Sequence, residues 1–524
     1  MKHTGSACPV SGQFFDKIAT AVIILGIAII VAPSPWRLPA ATNDEMLHLK
    51  SWRNRYGTNN VFPIGRKKIE KATNIPPAIK KIALRIYDSG PIGQRFFIVL
   101  QDCHPSVWPI TAEIIASLTN SSLVAIRLLS TLAFATALLF LYLIAQNLSH
   151  HSSGLALASL WAVSLLGVEY AGLARMYACA MAALAAFLYV FLQTDSKNDR
   201  EFSRLVLFAL IPVSLEWFTW PAVYTLLALA IYRRWNGAAN LQTIVNRYRA
   251  LIPFVIICTI FFCYYLVLAK WHPSRSPEWS AGHGPHPAYE HFVDFFATVG
   301  PLSFLASLEV NRLYLAVVHI ALLLGGILLF AVNRRLPADF RVAVLFLTAA
   351  GLILPTLIRM LPRHYMLTLF LPLTFAYWAI IDSMTIRLRL LTSVLLLVFA
   401  IAIASTQERL FGEDNPVYDF PEIARTVKAT LDPQDKTWIA TPYQLAMCIY
   451  RYADLPEPQM PTSKKELQET LTDLPCGTPV LVLAHKWTPE NLDGRYKQLF
   501  TQGEIIRVFP SGITVFRIKK PCSE

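Results

Sequence analysis

Two adjacent carboxylates stand in the segment 43–48, whose sequence is Asn-Asp-Glu-Met-Leu-His. A carboxylate such as Asp44 or Glu45, in a cleft where lipid meets water, can act as a general base or bind a metal ion. The same residues are typical of a solvated helix N-terminus, where Asn43 or Asp44 caps the helix and acidic side chains favour its dipole. The segment by itself leaves both interpretations open.

A second polar cluster, at 101–109, combines Asp102 and His104 with a proline at position 105. Proline restricts its own backbone and that of the preceding residue, so Pro105 can help present both polar side chains to one surface. A His-Pro pair also occurs in turns that have only a structural role. The cluster is therefore a candidate substrate-binding segment, with a structural turn as the alternative.

Arginine recurs with tyrosine in two further short segments, 169–177 and 359–365. A guanidinium group offers a planar fork of donors that matches phosphate oxygens. Arginines at the ends of membrane spans also extend to the interface without binding any ligand. The candidate phosphate or substrate ligands are Arg175, Tyr177, Arg359, Arg363 and Tyr365.

Histidine and acidic residues are concentrated between positions 272 and 291. Imidazoles beside carboxylates can bind a divalent metal, with His283, His286 and His291 as candidates. Their spacing matches no defined metal site, and the prolines and glycines among them favour an irregular chain that covers a cleft. The sequence makes no cofactor certain and leaves a divalent metal as an open alternative.

The composition places these segments in a membrane protein. Of the 524 residues, 54% are hydrophobic and 15% are charged, against roughly 25% charged residues in soluble globular proteins. The mean hydropathy of +0.43 and the long uncharged runs exclude a soluble enzyme, a disordered scaffold and a collagen-like fibre. The eight cysteines show no metal-finger spacing.

The net charge of +13 belongs to the hydrophobic part of the chain. From Glu408 onward there are 14 Lys and Arg against 16 Asp and Glu, a balance of −2, which leaves +15 for the first 407 residues. Basic charge on a membrane domain indicates anionic lipid or phosphate as the partner, and not nucleic acid.

Eleven uncharged runs are candidate membrane spans, and most approach the roughly 20 residues needed to cross about 30 Å of hydrocarbon. The fifth and sixth runs are short and separated only by Glu216, so they form either one long helix or a hairpin of two. Because basic clusters both precede and follow this pair, the positive-inside rule favours the hairpin. The runs lie at 18–36, 128–149, 152–168, 176–194, 205–215, 217–232, 250–269, 313–333, 342–358, 364–381 and 390–407.

The same rule predicts a cytoplasmic N-terminus and an extracytoplasmic C-terminal region. Arg175, Arg359 and Arg363 then lie on the outer side, where arginine is scarce, which favours their interpretation as phosphate ligands. The segment 35–122 becomes a long first outer loop, and 106–118 within it is predicted to be a helix on the membrane surface. The first run is alternatively a secretory signal, which leaves the later loops on the same sides.

Residues 407–524 are predicted to form a separate soluble α/β domain. Apolar runs typical of strands alternate with helical stretches, and turn-forming residues at 510–512 join the last two strands as a hairpin. Cys448 and Cys476 both belong to this domain and are candidates for a disulfide, with unpaired thiols as the alternative. The strand-like runs lie at 437–440, 479–484, 505–509 and 513–518.

Taken in order, these segments resemble the GT-C membrane glycosyltransferases. The shared features are an Asp-Glu pair after the first span, a long loop ending in Asp-x-His-Pro, an Ala-Arg-Met-Tyr turn and a late Pro-Arg-x-Tyr turn. The nearest branch comprises the bacterial relatives of protein O-mannosyltransferases and of the aminoarabinose transferases acting on lipid A. The resemblance covers about residues 15–406. It implies a GT-C-like helical bundle, a polyprenyl-phosphate-linked sugar donor, an active site at the outer face and inversion at the anomeric carbon.

The resemblance also implies a role for each matching residue. Asp44 is the base or the carboxylate that orients the acceptor, with Glu45 in support. Asp102 and His104 fall where the family narrows its loop against the donor site. The other residues that the resemblance implies bind the donor phosphate or the substrate are Arg175, Tyr177, Arg359, Arg363 and Tyr365.

Residues and resemblance together predict an inverting glycosyltransferase at the outer, periplasmic face of a cell inner membrane, which the chain crosses many times. Its partners are a polyprenyl-phosphate-linked sugar, membrane lipids, and an acceptor that is a lipid, a glycan or a protein. The alternatives are a transporter or flippase of lipid-linked saccharides and a non-catalytic assembly subunit. A transporter is expected to carry ionisable residues in mid-span and internal repeats, whereas this chain concentrates its charges in loops. Residues 105–108, Pro-Ser-Val-Trp, depart from the family pattern. This departure affects what the resemblance implies about acceptor binding more than what it implies about the fold.

Overall fold

A computed structural model gives the architecture of most of the hydrophobic part and of the core of the C-terminal part. Single positions and pairs between the main ranges are described at 167, 171, 303, 305, 459, 469, 471–472 and 476. The main ranges are 77–88, 107–118, 123–164, 176–235, 248–269, 288–299, 310–357, 367–410, 416–431, 438–440, 479–485, 503–509 and 513–519.

The chain divides into two compact units. The first, called here the helical unit, comprises residues 1–35, 81–268 and 285–406. The second, called the tail unit, comprises residues 36–80, 269–284 and 407–524. Each unit is described by itself below.

The described part of the helical unit consists of helices, and one further helix, the last in chain order, belongs to the tail unit. In chain order they are α1 (Pro77–Asp88), α2 (Val107–Leu118), α3 (Leu123–Leu148), α4 (His151–Ala162), α5 (Tyr177–Gln193), α6 (Asp199–Leu215), a 3₁₀ turn (Trp217–Thr219), α7 (Trp220–Arg234), α8 (Leu251–Ala269), α9 (Ala288–Val299), α10 (Arg312–Val332), α11 (Ala338–Leu357), α12 (Phe370–Ser383), α13 (Ile386–Leu410) and α14 (Pro416–Thr430).

The length and composition of these helices suit a bilayer. Within the described residues, Ala125–Leu148 and Arg312–Val332 are long and apolar enough to cross a membrane, and three shorter apolar helices accompany them. On α10 and α11 the side chains of Leu328 and Phe346 are exposed. Apolar surface turned outward in this way is expected of helices that contact lipid rather than water. The prediction that the hydrophobic part is helical is confirmed, while its membrane location and the number of eleven spans stay predictions.

The hairpin predicted on either side of Glu216 is confirmed. Asn198 caps α6 by accepting hydrogen bonds from the backbone amides of residues 200 and 201, at 3.0 and 3.5 Å. At the far end of α7, the buried guanidinium of Arg234 donates to the carbonyl oxygens of Ser196 and Lys197, at 2.9 and 3.2 Å, and pairs with Asp199. The end of α7 therefore lies beside the beginning of α6, as two antiparallel helices require.

Other arginine contacts gather further helix ends at the same place, called here the arginine-rich end. Arg233 at the end of α7 binds Asp339 at the beginning of α11 through two hydrogen bonds, of 2.6 and 3.2 Å. Arg335, in the connection from α10 to α11, lies 3.7 Å from the carboxylate of Asp382 at the end of α12. These pairs fix α7, α10, α11 and α12 in register along the bundle.

Arg389 completes this end of the helical unit. Its buried guanidinium donates to the carbonyl oxygens of Ile381, Asp382 and Met384 at distances of 2.8 to 3.1 Å. The last carbonyls of a helix have no partner within the helix, so Arg389 satisfies those at the end of α12. A further bond of 3.1 Å to the Ser153 hydroxyl ties α13 to the beginning of α4.

The predicted surface helix at 106–118 is confirmed as a helix by α2. It packs against α3 and α6, and the side chain of Trp108 in its first turn is buried. A helix of this kind would lie at the polar boundary of a membrane with one side turned to the protein, although its depth in a bilayer stays a prediction.

The tail unit contains a four-stranded sheet, as the strand-like runs predict. Its strands are β1 (Trp438–Ala440), β2 (Pro479–His485), β3 (Glu504–Val508) and β4 (Ile513–Lys519), in the order β1-β2-β4-β3. β1 pairs parallel with β2, and β4 pairs antiparallel with both β2 and β3. The predicted hairpin of the last two strands is therefore confirmed. α14 packs against β4, where Arg517 donates to the carbonyl of Thr430 at 3.4 Å.

One cysteine of the tail unit is in a disulfide. Cys476 is oxidised, which agrees with the prediction that this domain contains a bridge. Its predicted partner, Cys448, lies outside the described residues, so the pairing itself stays a prediction. Cys179, Cys258 and Cys263 of the helical unit are free thiols.

Candidate functional site

Helix direction separates the two ends of the helical unit. α3, α5, α7, α10 and α12 finish at the arginine-rich end, and α4, α6, α11 and α13 begin there. The opposite end is called here the motif end, because α5, which follows the segment 169–177 in sequence, begins there, and because α11 ends and α12 begins there on either side of 359–365. The segment 169–177 leads into α5, 359–365 lies between α11 and α12, and 101–109 leads into α2 just before α3 begins.

A hydrogen bond between two helices brings one of these segments against α3. The hydroxyl of Thr131, near the beginning of α3, donates to the carbonyl oxygen of Ala171 at 3.1 Å. Six residues later Tyr177 begins α5, and its side chain is buried. A buried tyrosine offers a hydroxyl that hydrogen bonds. Ala171 is therefore held beside the first turns of α3.

The turn of the α6–α7 hairpin also lies at the motif end and packs against α5. The carboxylate of Glu216 accepts a hydrogen bond of 2.8 Å from the backbone amide of Trp217. The hydroxyl of Thr219 contacts the carbonyl oxygens of Pro212 and Glu216 at 2.8 and 2.7 Å. The rings of Trp217 and Trp220 pack against each other with their centroids 4.6 Å apart and their planes tilted by 48°. Their position at a helix end agrees with a role as interfacial anchors.

Two buried charged residues near the motif end are functional candidates that the sequence motifs do not predict. The side chain of Arg127, in the second turn of α3, is 1% exposed, and that of Glu216 is 0% exposed. Both have interaction partners beyond the bonds named here. A buried charge is tolerated only where it is paired or hydrogen bonded, and such residues in membrane proteins are functional candidates.

Both residues stand out in the sequence as single charges beside uncharged runs, a position that predicts the end of a span rather than a functional site. Arg127 immediately precedes one uncharged run, and Glu216 is the single charge between two others. Each therefore marks the boundary of a predicted span, and boundaries are usually solvated. Burial depends on what packs over a helix end, and spacing along the chain carries no such information.

Most predicted site residues lie outside the part of the chain that the structure describes. For His291, in α9, the backbone is described, and for Tyr177 the side chain is described as well. The structure therefore leaves the predicted roles untested. The residues outside the described ranges are Asp44, Glu45, Asp102, His104, Arg175, His283, His286, Arg359, Arg363 and Tyr365.

The predicted metal site is likewise untested. Among the residues that the structure describes, no group of three or more His, Cys, Asp or Glu side chains is arranged to hold a metal ion. Two of the three candidate histidines lie outside those residues, so a divalent metal stays an open alternative.

Comparison with known proteins adds a similarity of fold. No family model matches the chain, and no curated protein matches it. Two solved structures of ArnT from Cupriavidus metallidurans are similar to this chain. The structure bound to undecaprenyl phosphate has 12% sequence identity and a TM-score of 0.34, and the apo structure has 10% identity and a TM-score of 0.38. Each alignment covers 97% of this chain and 98% of the ArnT chain.

ArnT is a GT-C lipid A aminoarabinose transferase, from the branch that the sequence motifs resemble. At this identity and TM-score the likeness decides nothing about activity, and the chemistry of this chain must be argued from its own residues.

Proposed function

We propose that this protein is an inverting glycosyltransferase that moves a sugar from a polyprenyl-phosphate-linked donor to an acceptor outside the cytoplasm. The acceptor is a lipid, a glycan or a protein. The observation that carries the proposal is the direction of the helices. α5, which follows 169–177, begins at the motif end, α11 ends and α12 begins there on either side of 359–365, and the arginine-rich end lies opposite.

The distribution of arginines between the two ends of the helical unit supports the proposed orientation of the protein in the membrane. Arginines at the arginine-rich end are engaged in capping helices and pairing with Asp199, Asp339 and Asp382. By the positive-inside rule this end faces the cytoplasm. The arginines of the candidate segments would then face outward, where topology gives no reason for them and binding of phosphate does.

The proposed chemistry needs few protein groups. The bond between the anomeric carbon and the phosphate oxygen breaks, and the lipid phosphate leaves as a stable anion that requires no strong general acid. Arg175, Arg359 and Arg363 would stabilise its charge. The acceptor hydroxyl attacks from the opposite face and gives its proton to the Asp44 carboxylate, so the configuration at the anomeric carbon inverts.

A transfer assay distinguishes this function from that of a flippase. Full-length protein in detergent, supplied with a polyprenyl-phosphate sugar and an envelope extract as the acceptor, should release polyprenyl phosphate and add sugar to the acceptor. A flippase would leave the sugar on its lipid. Mass spectrometry of a strain that lacks the protein should show which lipid-linked sugar accumulates. Intact donor after incubation with every extract would contradict the proposal.

Arg363→Ala is expected to weaken donor binding about tenfold. A hydrogen bond to a charged group contributes about 1.5 to 3 kcal/mol, and the other two arginines would keep part of the interaction. The measurement is the affinity of the purified variant for a polyprenyl phosphate. Arg387→Ala, at the arginine-rich end, is the matched control and should bind the lipid normally. Unchanged affinity of the Arg363 variant would remove this residue from the phosphate site.

The oxidised state of Cys476 predicts that the tail unit lies outside the cytoplasm, because disulfides persist in oxidising compartments. In intact cells, membrane-impermeant maleimide should label a cysteine introduced in the tail, such as Glu469→Cys. The matched control, Arg200→Cys near the beginning of α6, should react only after permeabilisation. Mass spectrometry without reduction should join the peptide of Cys476 to that of Cys448. Labelling of the tail only after permeabilisation would reverse the proposed topology.

A further inference from the structure

A groove runs between α7 and α11, starting near the arginine-rich end. Its volume is about 630 Å³, within the range of roughly 300 to 1,000 Å³ typical of small-molecule sites. It covers eight residue steps of α7, or about 12 Å along the helix axis at about 1.5 Å per residue. Its lining is formed by Tyr224, Thr225, Ala228, Leu229 and Tyr232 of α7 with Asp339, Val342, Ala343 and Phe346 of α11.

The groove is apolar along its length and open at its side. Ala228 and Ala343 leave room because their side chains are short, whereas Tyr232, Val342 and Phe346 are 70%, 64% and 62% exposed. Both helices belong to the hydrophobic unit, whose outer surface is expected to contact lipid. In a bilayer the abundant occupant of an open, apolar groove on such a surface is a hydrocarbon chain.

One end of the groove is polar. Asp339 lines it and binds Arg233 through two hydrogen bonds, and Arg233 also lies over the ring of Phe191 at 5.5 Å from its centroid. The Arg233 guanidinium beside it holds the pKa of the Asp339 carboxyl below its usual value, so this pair outside the predicted span 342–358 is charged at neutral pH. The side chains of Arg233 and Asp339 stay 29% and 26% exposed.

The two charged residues at this end of the groove are paired with each other. Arg233 and Asp339 neutralise each other, and the adjacent Arg234 is paired with Asp199. The two hydrogen bonds to Asp339 use Nε and Nη2 of Arg233, and Nη1 has no hydrogen-bond partner within the described ranges. A ligand that carries both a negative and a positive group matches this surface better than a purely anionic one, which Asp339 would repel.

We propose that the groove binds a zwitterionic glycerophospholipid with a primary ammonium headgroup, of the phosphatidylethanolamine type. One acyl chain lies between α7 and α11, the phosphate accepts a hydrogen bond from Arg233, and the ammonium group donates to Asp339. This site lies at the opposite end of the helical unit from the proposed donor site. It is therefore independent of the glycosyltransferase function and would stand if that function were wrong.

Native mass spectrometry of the full-length protein in detergent tests the proposal, with phosphatidylethanolamine and phosphatidylglycerol of identical acyl chains as probes. We expect the first lipid to bind about tenfold more tightly, the difference made by one hydrogen bond to a charged group. Ala228→Trp, which fills the groove, should lose this binding. Ala321→Trp, on the exposed side of α10, is the matched control and should keep it.

A second variant separates headgroup recognition from a change in groove shape. Arg233→Gln with Asp339→Asn keeps a polar side chain at both positions and removes both charges, so the two lipids should bind equally. Thermal melting of each variant checks that it is folded. Tighter binding of phosphatidylglycerol to the wild-type protein, or undiminished phosphatidylethanolamine binding by Ala228→Trp, would overturn the proposal.

Discussion

Asp44→Asn is expected to lower the rate of sugar transfer by about 10²- to 10⁴-fold, the contribution of a positioned general base. The amide is nearly isosteric with the carboxylate but cannot accept the proton of the acceptor hydroxyl. Donor binding depends on cations elsewhere and should persist, as should folding. The measurements are the single-turnover rate of transfer and the affinity for the donor lipid in the same preparation.

Two controls make this result specific. Glu45→Gln removes the neighbouring carboxylate and should have a smaller effect, because the resemblance gives Glu45 only a supporting role. Asp195→Asn removes an acid from the exposed turn at the arginine-rich end and should leave transfer unchanged. Normal turnover of the Asp44 variant would exclude this residue as the base and would require another proton acceptor at the motif end.

Gly326→Ala is expected to destabilise the helical unit by about 1 to 3 kcal/mol, the usual range for overpacking a tight contact. A Cβ at Gly326 would lie 2.7 Å from the carbonyl carbon and 2.8 Å from the Cα of Ala376. These are backbone atoms of α12, so the contact cannot be relieved by turning a side chain. α10 and α12 would have to separate, which disturbs the packing of Phe330 against Phe375.

The adjacent glycine provides a matched control. A Cβ at Gly325 meets no atom within 4 Å, so Gly325→Ala should preserve or slightly raise stability, since alanine has the higher helix propensity. Thermal unfolding in detergent, followed by size-exclusion chromatography, measures both variants under one condition. Equal melting temperatures for the two variants would show that α10 and α12 are not in close contact at Gly326.

Local patterns predicted much of the secondary structure. The strands β2 and β4 follow from apolar runs bounded by turn-forming residues, and their observed limits differ from the predicted ones by a single residue. The hairpin at Glu216 followed from basic clusters on both sides, and Arg234 shows why these clusters meet. Arginine at the end of α7 has a structural reason to be there, because it closes the hairpin on the beginning of α6.

The candidate site was predicted less completely. Loops such as 169–177 were selected for residue types that bind phosphate, which sequence can reveal because guanidinium chemistry is local to the residue. Arg127 and Glu216 are not predicted as site residues, because only their burial makes them functional candidates. The side chain of Glu216 is buried beside the turn that it caps, and such burial arises only when distant segments pack together.

Sequence alone predicts a membrane protein, the positions of its helical runs, the residues suited to hold a phosphate, and a small sheet in its C-terminal region. Each of these follows from composition, periodicity or the chemistry of single residues. Tertiary packing brings particular helix ends together and pairs Arg233 with Asp339 across 106 positions of chain. It also leaves a groove beside that pair. Such contacts depend on packing between segments far apart in the chain, and no local pattern specifies which distant surface a helix will cover.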